Sequence, residues 1–271
     1  MTLRTIAVSI LSKIPLFWQR EKEWLTPLPI IATHRGLEGY PENTIPAIEA
    51  AIHAGFKIIE IDLHVTKDGH FVLIHDKTIN RTSNGQGEVH DLMLKQLKQY
   101  DFGSWYSKDF AGTQIPTLEE ALMLAQKYDV VLNLDCADRI DSRYYSRLIE
   151  TIRKYEMQNR VYIEITTDML LKMFRIDRSL NYEIAVVDSV MKLNRAKFFA
   201  SFSGSCVMLS RMSGTPSAEV VTEIHKQCFK ASLWTCRSVE EIYAAIEMGY
   251  DIIGCENIPV EVLRKHKFIG Q

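Results

Sequence analysis

The stretch Lys-Ile-Ile-Glu-Ile-Asp-Leu-His at residues 57–64 decides the fold, because an apolar strand pattern carries two acidic residues. Side chains of a strand alternate between its two faces, so Glu60 and Asp62 share one face, whereas Ile59 and Ile61 share the other. The isoleucines indicate that this strand is buried, and a solvated strand edge is the alternative. Two buried carboxylates on one face repel each other unless they are protonated or bridged by a cation, and oxygen ligands suit Mg²⁺ or Ca²⁺.

Short apolar runs alternate with amphipathic helical patterns along most of the chain. The predicted strands are residues 30–33, 57–64, 130–135, 161–165, 183–187, 206–209, 231–235 and 251–255. The predicted helices are residues 44–54, 118–127, 142–155, 218–228 and 239–248. This alternation predicts a parallel sheet covered by helices, and eight strands predict an α/β fold of the TIM (β/α)₈ barrel type. The 271 residues suit one such barrel, whose usual size is about 250 residues. A doubly wound open sheet is the rival architecture, but no Gly-x-Gly-x-x-Gly follows the first strand.

One segment interrupts this alternation. Asp68-Gly69 predicts a tight turn, so residues 70–75 are expected to return as an extra strand beside the second one. Residues 76–114 are polar and lack clear periodicity, which is typical of a functional insertion over one end of a barrel. The predicted organisation is an N-terminal helical extension at 1–28, then a barrel at 29–271 that carries the small insertion after the second-strand hairpin.

Composition and the N-terminal segment restrict the partners. The chain has 32 Lys and Arg against 34 Asp and Glu, so its formal net charge of −2 creates no field that attracts nucleic acid. A small-molecule partner is therefore expected. The five cysteines are odd in number and widely spaced, which disfavours a disulfide framework and favours a cytoplasmic location. Residues 1–24 predict a helix packed on the barrel, with peripheral membrane contact or an export signal as alternatives.

Two histidines and a tryptophan each come where a predicted strand ends. His34 follows strand 30–33, His75 ends the extra strand, and Trp234 comes near the end of the seventh strand. Catalytic groups of a barrel lie at such positions, and two histidines can divide proton transfer, one accepting a proton and one donating it. Arg35 offers a permanently charged fork that matches a phosphate. For each histidine a packed structural role is the alternative, and Trp234 suits either the core or the wall of a substrate pocket.

Several short motifs occur in a fixed order along the chain. They are His34-Arg35-Gly36, Pro41-Glu42-Asn43-Thr44, Glu60-Ile61-Asp62, Thr66-Lys67-Asp68-Gly69, His75-Asp76, Arg81-Thr82, Ile115-Pro116-Thr117-Leu118-Glu119-Glu120 and Trp234-Thr235. Each motif alone is weak. Together they resemble the glycerophosphodiester phosphodiesterase family, closely over residues 30–120 and loosely over the rest.

The resemblance implies a TIM barrel that hydrolyses glycerophosphodiesters to glycerol 3-phosphate and an alcohol with one divalent cation, Mg²⁺ or Ca²⁺. It implies that His34 and His75 are the acid/base pair and that Arg35 contacts the substrate phosphate. It further implies that Glu60 and Asp62 bind the metal. The segment 76–114 is similar to the insertion that characterises the family.

Two residues depart from the family pattern. The family usually ends its third strand with a glutamate ligand that is followed two residues later by a lysine. Here Asp135 keeps the carboxylate but is one methylene shorter, and Ala137 has no charge. We expect Asp135 to complete the metal site. Arg139 is the candidate to replace the missing lysine as a phosphate contact, and a solvated loop residue is the alternative.

Two further functions stay open at this point. A lysophospholipase D that acts on lysophospholipids needs an apolar groove, which Trp105, Tyr106 and Phe110 in the insertion are suited to line. A catalytically weakened barrel that only binds phosphoesters is compatible with Ala137. Substrate length separates the first two functions, and metal-dependent turnover separates both from the third.

Overall fold

The computed structural model describes residues 29–136, 139–177, 180–186, 206–210, 218–226 and 230–270. The helix expected within residues 1–28 and the predicted membrane contact through residues 1–24 lie outside the described residues. Within the described part of the chain, every helix is too short or too polar to cross a bilayer. The cytoplasmic location stays a prediction.

The described residues form nine strands. They are β1 Ile30–Thr33, β2 Ile58–Val65, β3 Phe71–Leu73, β4 Val131–Asp135, β5 Val161–Ile165, β6 Asn181–Val186, β7 Cys206–Ser210, β8 Lys230–Cys236 and β9 Ile252–Cys255. All except β3 run parallel in one sheet, which closes because β1 pairs with both β2 and β9. The predicted TIM barrel is confirmed, and each of its eight predicted strands is present with small shifts at the ends.

Helices follow most of the barrel strands. They are α1 Ile45–Ala54, α2 Leu94–Leu97, α3 Leu118–Tyr128, α4 Tyr145–Lys154, α5 Thr167–Ile176, α6 Ala218–Lys226, α7 Val239–Glu247 and α8 Val260–Lys265. Side-chain caps fix where helices begin: the Thr117 hydroxyl accepts from the Glu120 amide, and the Glu120 carboxylate accepts from the Thr117 amide. The helix predicted over 142–155 starts as a 3₁₀ turn at Ser142–Tyr144 and becomes α-helical at Tyr145.

The predicted hairpin after β2 is present. Gly69 occupies the turn with φ of +83°, which favours glycine, and β3 then returns antiparallel beside β2. The chain between β3 and α3 covers residues 74–117 and includes the short helix α2 and 3₁₀ turns at Val89–Asp91 and Lys108–Phe110. It packs around its own apolar cluster, whose buried members are Val72, Ile74, Ile79, Val89, Leu97, Phe102 and Ile115.

The interior of the barrel changes from apolar to acidic along the strand direction. The lower layer is an apolar cluster of Ile30, Ala32, Ile58, Val131, Tyr162 and Ile252. Because side chains alternate, the next inward positions lie two residues further along each strand. On β2 these positions hold Glu60 and Asp62, and on β4 they hold Asn133 and Asp135. The acidic layer therefore lies at the carboxyl end of the barrel, where active sites of this fold are built.

Candidate active site

Three carboxylates meet at the carboxyl end of β2 and β4. Oxygen atoms of Glu60, Asp62 and Asp135 all lie within 4.8 Å of one another, because Asp62 and Asp135 are paired in register. Glu60 is 3% exposed and Asp62 1% exposed. Burial, and then repulsion from Asp62 and Asp135, raise the pKa of Glu60 well above its ordinary value. The fold therefore brings the three predicted metal ligands together, and their carboxylates repel one another.

The acidic layer continues around the barrel onto β5 and β6. Glu164 is paired in register with Asp135 and with Glu183. The buried Glu183 accepts hydrogen bonds from Asn133 Nδ2 at 2.6 Å and Trp234 Nε1 at 3.0 Å, and also from the Ser232 hydroxyl. Burial raises the pKa of both glutamates. Neither acid was among the predicted site residues, although each lies on a predicted strand, 161–165 or 183–187, where side-chain alternation is the signal that could have found it.

Trp234 lies in the interior of the barrel, as one of its two predicted roles requires. Its ring packs against the lower apolar layer and lies directly over Gly254 on β9, where an added Cβ would come 1.8 Å from the ring. Only a residue without a side chain fits there. The indole is partly exposed, and whether it also forms the wall of a substrate pocket stays a prediction.

Two arginines approach the carboxylate cluster. Arg139 Nη1 lies 2.6 Å from Asp62 Oδ1 and 2.6 Å from Asp135 Oδ2, so it bridges two of the three acids. The Arg35 amide donates to Glu60 Oε2 at 2.8 Å, and Arg35 Nε lies 3.2 Å from Asp62 Oδ2. Both predicted phosphate contacts are thus at the site, but Arg139 points at carboxylates. Ala137 lies outside the described residues.

The loop after β1 adds a neutral partner for one of these acids. Asn43 Nδ2 donates to Asp62 Oδ2 at 2.7 Å, and the Asp62 amide donates to Asn43 Oδ1 at 3.0 Å. This reciprocal pair fixes the orientation of the Asp62 side chain. The sequence analysis quoted the motif that contains Asn43 but gave this residue no role.

His34 belongs to a chain of three side chains that we call the His34 arm: His34, Glu256 and Arg237. His34 Nδ1 contacts Glu256 Oε2, and Arg237 Nε contacts Glu256 Oε1. The hydrogen bond with His34 lowers the pKa of Glu256 to about 2. On its other side, His34 Nε2 lies 4.0 Å from Glu60 Oε2, which places the ring beside the carboxylate cluster.

His75 belongs to a chain with the same order, the His75 arm: His75, Asp76 and Arg81. His75 Nδ1 lies 2.7 Å from Asp76 Oδ1, and Arg81 donates to both Asp76 oxygens, from Nε at 2.7 Å and Nη2 at 3.0 Å. Hydrogen bonds from Arg81 hold the pKa of Asp76 well below its usual range. The His75 arm begins beside the carboxylate cluster, because the amide of the preceding Ile74 donates to the carbonyl of Asp62 at 3.1 Å.

Glu42 connects the His75 arm to the cluster. Arg81 Nη1 and Nη2 donate to Glu42 at 2.6 and 2.8 Å, and Arg35 Nη1 donates to Glu42 Oε1 at 3.3 Å. The hydrogen bonds that Arg81 donates to Glu42, and then those that it donates to Asp76, raise the pKa of Arg81. Glu42 was quoted within a motif but assigned no function, and Glu256 was not recognised as a site residue.

An aromatic cluster lies on the outer surface near this loop. Tyr40 contacts Phe110 with ring centroids 5.4 Å apart, and Tyr106 contacts both Phe110 at 6.0 Å and Trp105 at 5.7 Å. Tyr40, Trp105 and Tyr106 are 36%, 39% and 41% exposed. Because Tyr40 stands two residues before Glu42, the cluster joins the insertion to the loop that carries the site.

The arrangement suits acid/base chemistry beside a cation. Each of the two histidines has a carboxylate at Nδ1, which fixes the orientation of the ring. The Glu60, Asp62 and Asp135 cluster offers the oxygen ligands that Mg²⁺ and Ca²⁺ prefer. The predicted site residues are therefore close together, while the individual roles assigned to them stay predictions.

Comparison with known proteins extends this description. The model of the glycerophosphoryl diester phosphodiesterase family matches residues 34–259. A glycerophosphodiester phosphodiesterase of Bacillus altitudinis is 30% identical over 235 residues, an alignment that covers 82% of this chain and 91% of the relative. A glycerophosphodiester phosphodiesterase of Caldanaerobacter subterraneus is 39% identical over 137 residues, which cover 49% of this chain and just over half, 56%, of that relative.

Solved structures resemble the whole barrel. A phosphodiesterase of Oleispira antarctica in complex with the product sn-glycerol-3-phosphate superimposes with a TM-score of 0.79 at 23% identity, covering 89% of this chain and 97% of that one. A glycerophosphodiester phosphodiesterase described as putative, from Galdieria sulphuraria, gives a TM-score of 0.75 at 24% identity, covering 89% and 98% of the two chains. At these identities the likeness concerns the fold.

Proposed function

Because this chain belongs to the glycerophosphoryl diester phosphodiesterase family and is thereby a phosphoric diester hydrolase, we propose that it hydrolyses glycerophosphodiesters to glycerol 3-phosphate and an alcohol. The observation that carries the proposal is the pairing of His34 with Glu256 and of His75 with Asp76 beside one carboxylate cluster. A diester hydrolase needs one group that accepts a proton and one that donates a proton. The two histidines meet that need.

The reaction proceeds in two proton-coupled steps. One histidine accepts the proton of the glycerol hydroxyl as its oxygen attacks phosphorus, and the other donates a proton to the departing alcohol oxygen. This step forms a cyclic phosphate and releases the alcohol. In the second step the roles exchange: a water molecule gives its proton to the histidine that donated one before and opens the ring, while the ring oxygen receives the proton that the other histidine accepted. Glu256 and Asp76 hold the two imidazole rings in place through both steps.

The residues present fit the divalent cation that the family implies. Glu60, Asp62 and Asp135 supply oxygen donors within 4.8 Å of one another. Burial, and then repulsion from the other two acids, raise the pKa of Glu60, and a cation would relieve that repulsion. These three side chains would hold the ion. A bound cation neutralises phosphoryl oxygens and makes the attacking hydroxyl more acidic. The donor set suits Mg²⁺ and Ca²⁺ alike, and the shorter Asp135 favours the more tolerant Ca²⁺.

Arg35 is the proposed contact for the substrate phosphate. Its buried Nε has no hydrogen-bond acceptor among the described residues, although Asp62 is near enough for an ion pair. A guanidinium with an unused donor is suited to a phosphoryl oxygen. Arg139 is the second proposed contact, but it first has to leave Asp62 and Asp135.

The test is release of the alcohol from glycerophosphocholine by the purified protein in Mg²⁺ or Ca²⁺. His34→Ala and His75→Ala should each lower kcat by about 10²–10⁴-fold, because each removes one proton transfer. His90→Ala is the matched control, since this exposed histidine of the insertion also pairs with a carboxylate, that of Glu88. Near wild-type rates in both site variants would remove them from the mechanism, and absence of turnover in all proteins would favour a barrel that only binds phosphoesters.

A second candidate function is hydrolysis of lysophospholipids, and the exposed aromatic cluster favours it. Tyr40, Trp105, Tyr106 and Phe110 form an apolar surface next to the loop that carries Glu42, where an acyl chain extending from the site can lie. Large aromatic side chains bind such chains through buried apolar area. Glycerophosphocholine lacks the acyl chain and gains nothing from this surface.

Substrate length distinguishes the two candidates. If the second holds, lysophosphatidylcholine has the higher kcat/KM, and Trp105→Ala lowers that value while leaving glycerophosphocholine hydrolysis unchanged. Met93→Ala is a control, since it removes an equally exposed apolar side chain of the insertion outside the aromatic cluster. Equal effects of Trp105→Ala on both substrates would argue against a lipid-binding role.

A further inference from the structure

Arg139 occupies the position between two of the acids that would bind the cation. One nitrogen, Nη1, lies 2.6 Å from Asp62 Oδ1 and 2.6 Å from Asp135 Oδ2. The Arg139 side chain is 17% exposed, so it enters the barrel from a short loop after β4 and reaches inward. It therefore acts as a built-in positive charge within the acidic layer.

A divalent ion cannot share this position with the guanidinium. Mg²⁺ and Ca²⁺ bind carboxylate oxygens at about 2.0–2.6 Å, which is the space that Nη1 fills between these same two oxygens. The two positive charges would also repel each other strongly in a buried site. Either Arg139 or the cation neutralises the Asp62 and Asp135 pair, and the exchange requires the arginine side chain to move.

We propose that Arg139 is an internal counter-ion that competes with the divalent cation for Asp62 and Asp135 and so sets the affinity of the site for metal. This inference rests on the proposed metal site. Without cation, the guanidinium stabilises the fold by compensating two buried carboxylates. When cation binds, Arg139 is displaced from the acids and becomes available to a phosphate, which reconciles its observed contacts with its predicted role.

The charge environment supports this competition. The Asp62 side chain is 2% exposed and the Arg139 side chain 17%, so little water screens the charges of this ion pair. Arg35 is the other cation at Asp62, at 3.2 Å, but it approaches Oδ2 and has Glu42 as a further partner. Arg139 alone among the described arginines contacts both Asp62 and Asp135.

The experiment is calorimetric titration of Ca²⁺ and of Mg²⁺ into chelator-treated, dialysed protein. Arg139→Ala should bind Ca²⁺ about 10- to 100-fold more tightly than the wild type, because the competing charge-assisted contacts are gone. Arg143→Ala is the matched control. Arg143 lies four residues after Arg139 and carries the same charge, but its side chain is exposed and pairs with Asp141. Its affinity for Ca²⁺ should equal that of the wild type.

Thermal unfolding supplies a second readout that does not depend on turnover. In the presence of chelator, Arg139→Ala should unfold at a lower temperature than the wild type. Added Ca²⁺ should raise the unfolding temperature of Arg139→Ala by more than it raises that of the wild type. If chelated Arg139→Ala does not fold, Arg139→Lys retains a charge without the fork and should bind Ca²⁺ with intermediate affinity.

The outcomes separate the inference from the proposed function. If the wild type binds Ca²⁺ and Arg139→Ala binds it no more tightly, Arg139 does not compete, while the proposed metal site stands. The same holds if Arg143→Ala tightens binding equally, because net charge is then the cause. If neither the wild type nor any variant binds either ion, the proposed metal site and this inference both fail.

Discussion

The His34 arm and the His75 arm have the same order of groups, an imidazole, a carboxylate and an arginine, but the chain builds them differently. In the His75 arm, the carboxylate of Asp76 is adjacent in sequence to the histidine. In the His34 arm, the carboxylate of Glu256 comes from the residue that follows the last strand, β9, far along the chain from His34. Closure of the sheet brings it there, because Thr33 on β1 pairs with Cys255 on β9, and His34 and Glu256 are the residues that directly follow this pair.

The difference shows that the same histidine, carboxylate and arginine arrangement can be built by neighbouring residues or by strands that are distant in sequence. The His75 arm needs only a hairpin and a short segment of the insertion, whereas the His34 arm exists only when the first and last strands pair. The arginines differ as well. Arg81 contacts both Asp76 and Glu42, whereas Arg237 is 60% exposed and contacts Glu256.

Replacing the carboxylates tests whether the two arms are equivalent, and it should give the largest effects of these comparisons. Glu256→Gln and Asp76→Asn each remove a charge-assisted hydrogen bond from a histidine, worth about 1.5–3 kcal/mol, so kcat should fall roughly 10- to 150-fold in either variant. Steady-state kinetics on glycerophosphocholine provide the measurement. A large loss in one variant with none in the other would show that only one histidine depends on its carboxylate.

Replacing the arginines sharpens the comparison, because here the arms should differ. Arg81→Ala removes hydrogen bonds to two carboxylates and should lower kcat by about tenfold. Arg237→Ala removes an exposed ion pair and should lower kcat by less than about fivefold. The measurement is kcat of both variants on glycerophosphocholine, and circular dichroism checks that both variants are folded. An equal or larger loss in Arg237→Ala would contradict the view that Arg81 positions Asp76.

Acid stability should show the smallest effect. The pKa of Glu256 is lowered to about 2 by its hydrogen bond with His34, compared with about 4.3 for an unfolded glutamate. A depressed folded pKa stabilises the protein above the unfolded value, and this contribution is lost as pH falls from about 5 toward 2. Glu256→Gln should therefore lose less stability than the wild type over that range, as measured by urea midpoints. Parallel curves for the two proteins would mean that the ion pair contributes little.

Much of the barrel could be predicted because its signals are local. The alternation of apolar strands with helical patterns, the Asp68-Gly69 turn and the same-face pair Glu60 and Asp62 are each readable within a few residues. The fold prediction followed from these signals and is confirmed by the closed ring of parallel strands. Within the site, His75 and Asp76 were adjacent in one motif.

What could not be predicted depends on register between distant strands. Glu256 reaches His34 only through the pairing of β1 with β9, and Glu183 reaches Trp234 only through the packing of side chains inside the closed barrel. The sequence also could not predict where the Arg139 side chain points, because β4 ends at Asp135 and strand alternation does not extend to Arg139. Such contacts follow from closure of the ring, which is a property of the whole chain.

The position of His75 has a consequence for how the protein opens. His34 and the carboxylates lie on the barrel strands or directly after them. His75 follows β3, whose Val72 packs in the apolar cluster of the insertion with Phe102 and Ile115, while its Phe71 and Leu73 pack in the main core. Segments that pack around separate clusters can open independently, each with its own local unfolding free energy. The two histidines of the proposed acid/base pair are therefore supported by different apolar clusters, and an opening of the insertion alone would move His75 away from His34 while the barrel remained folded.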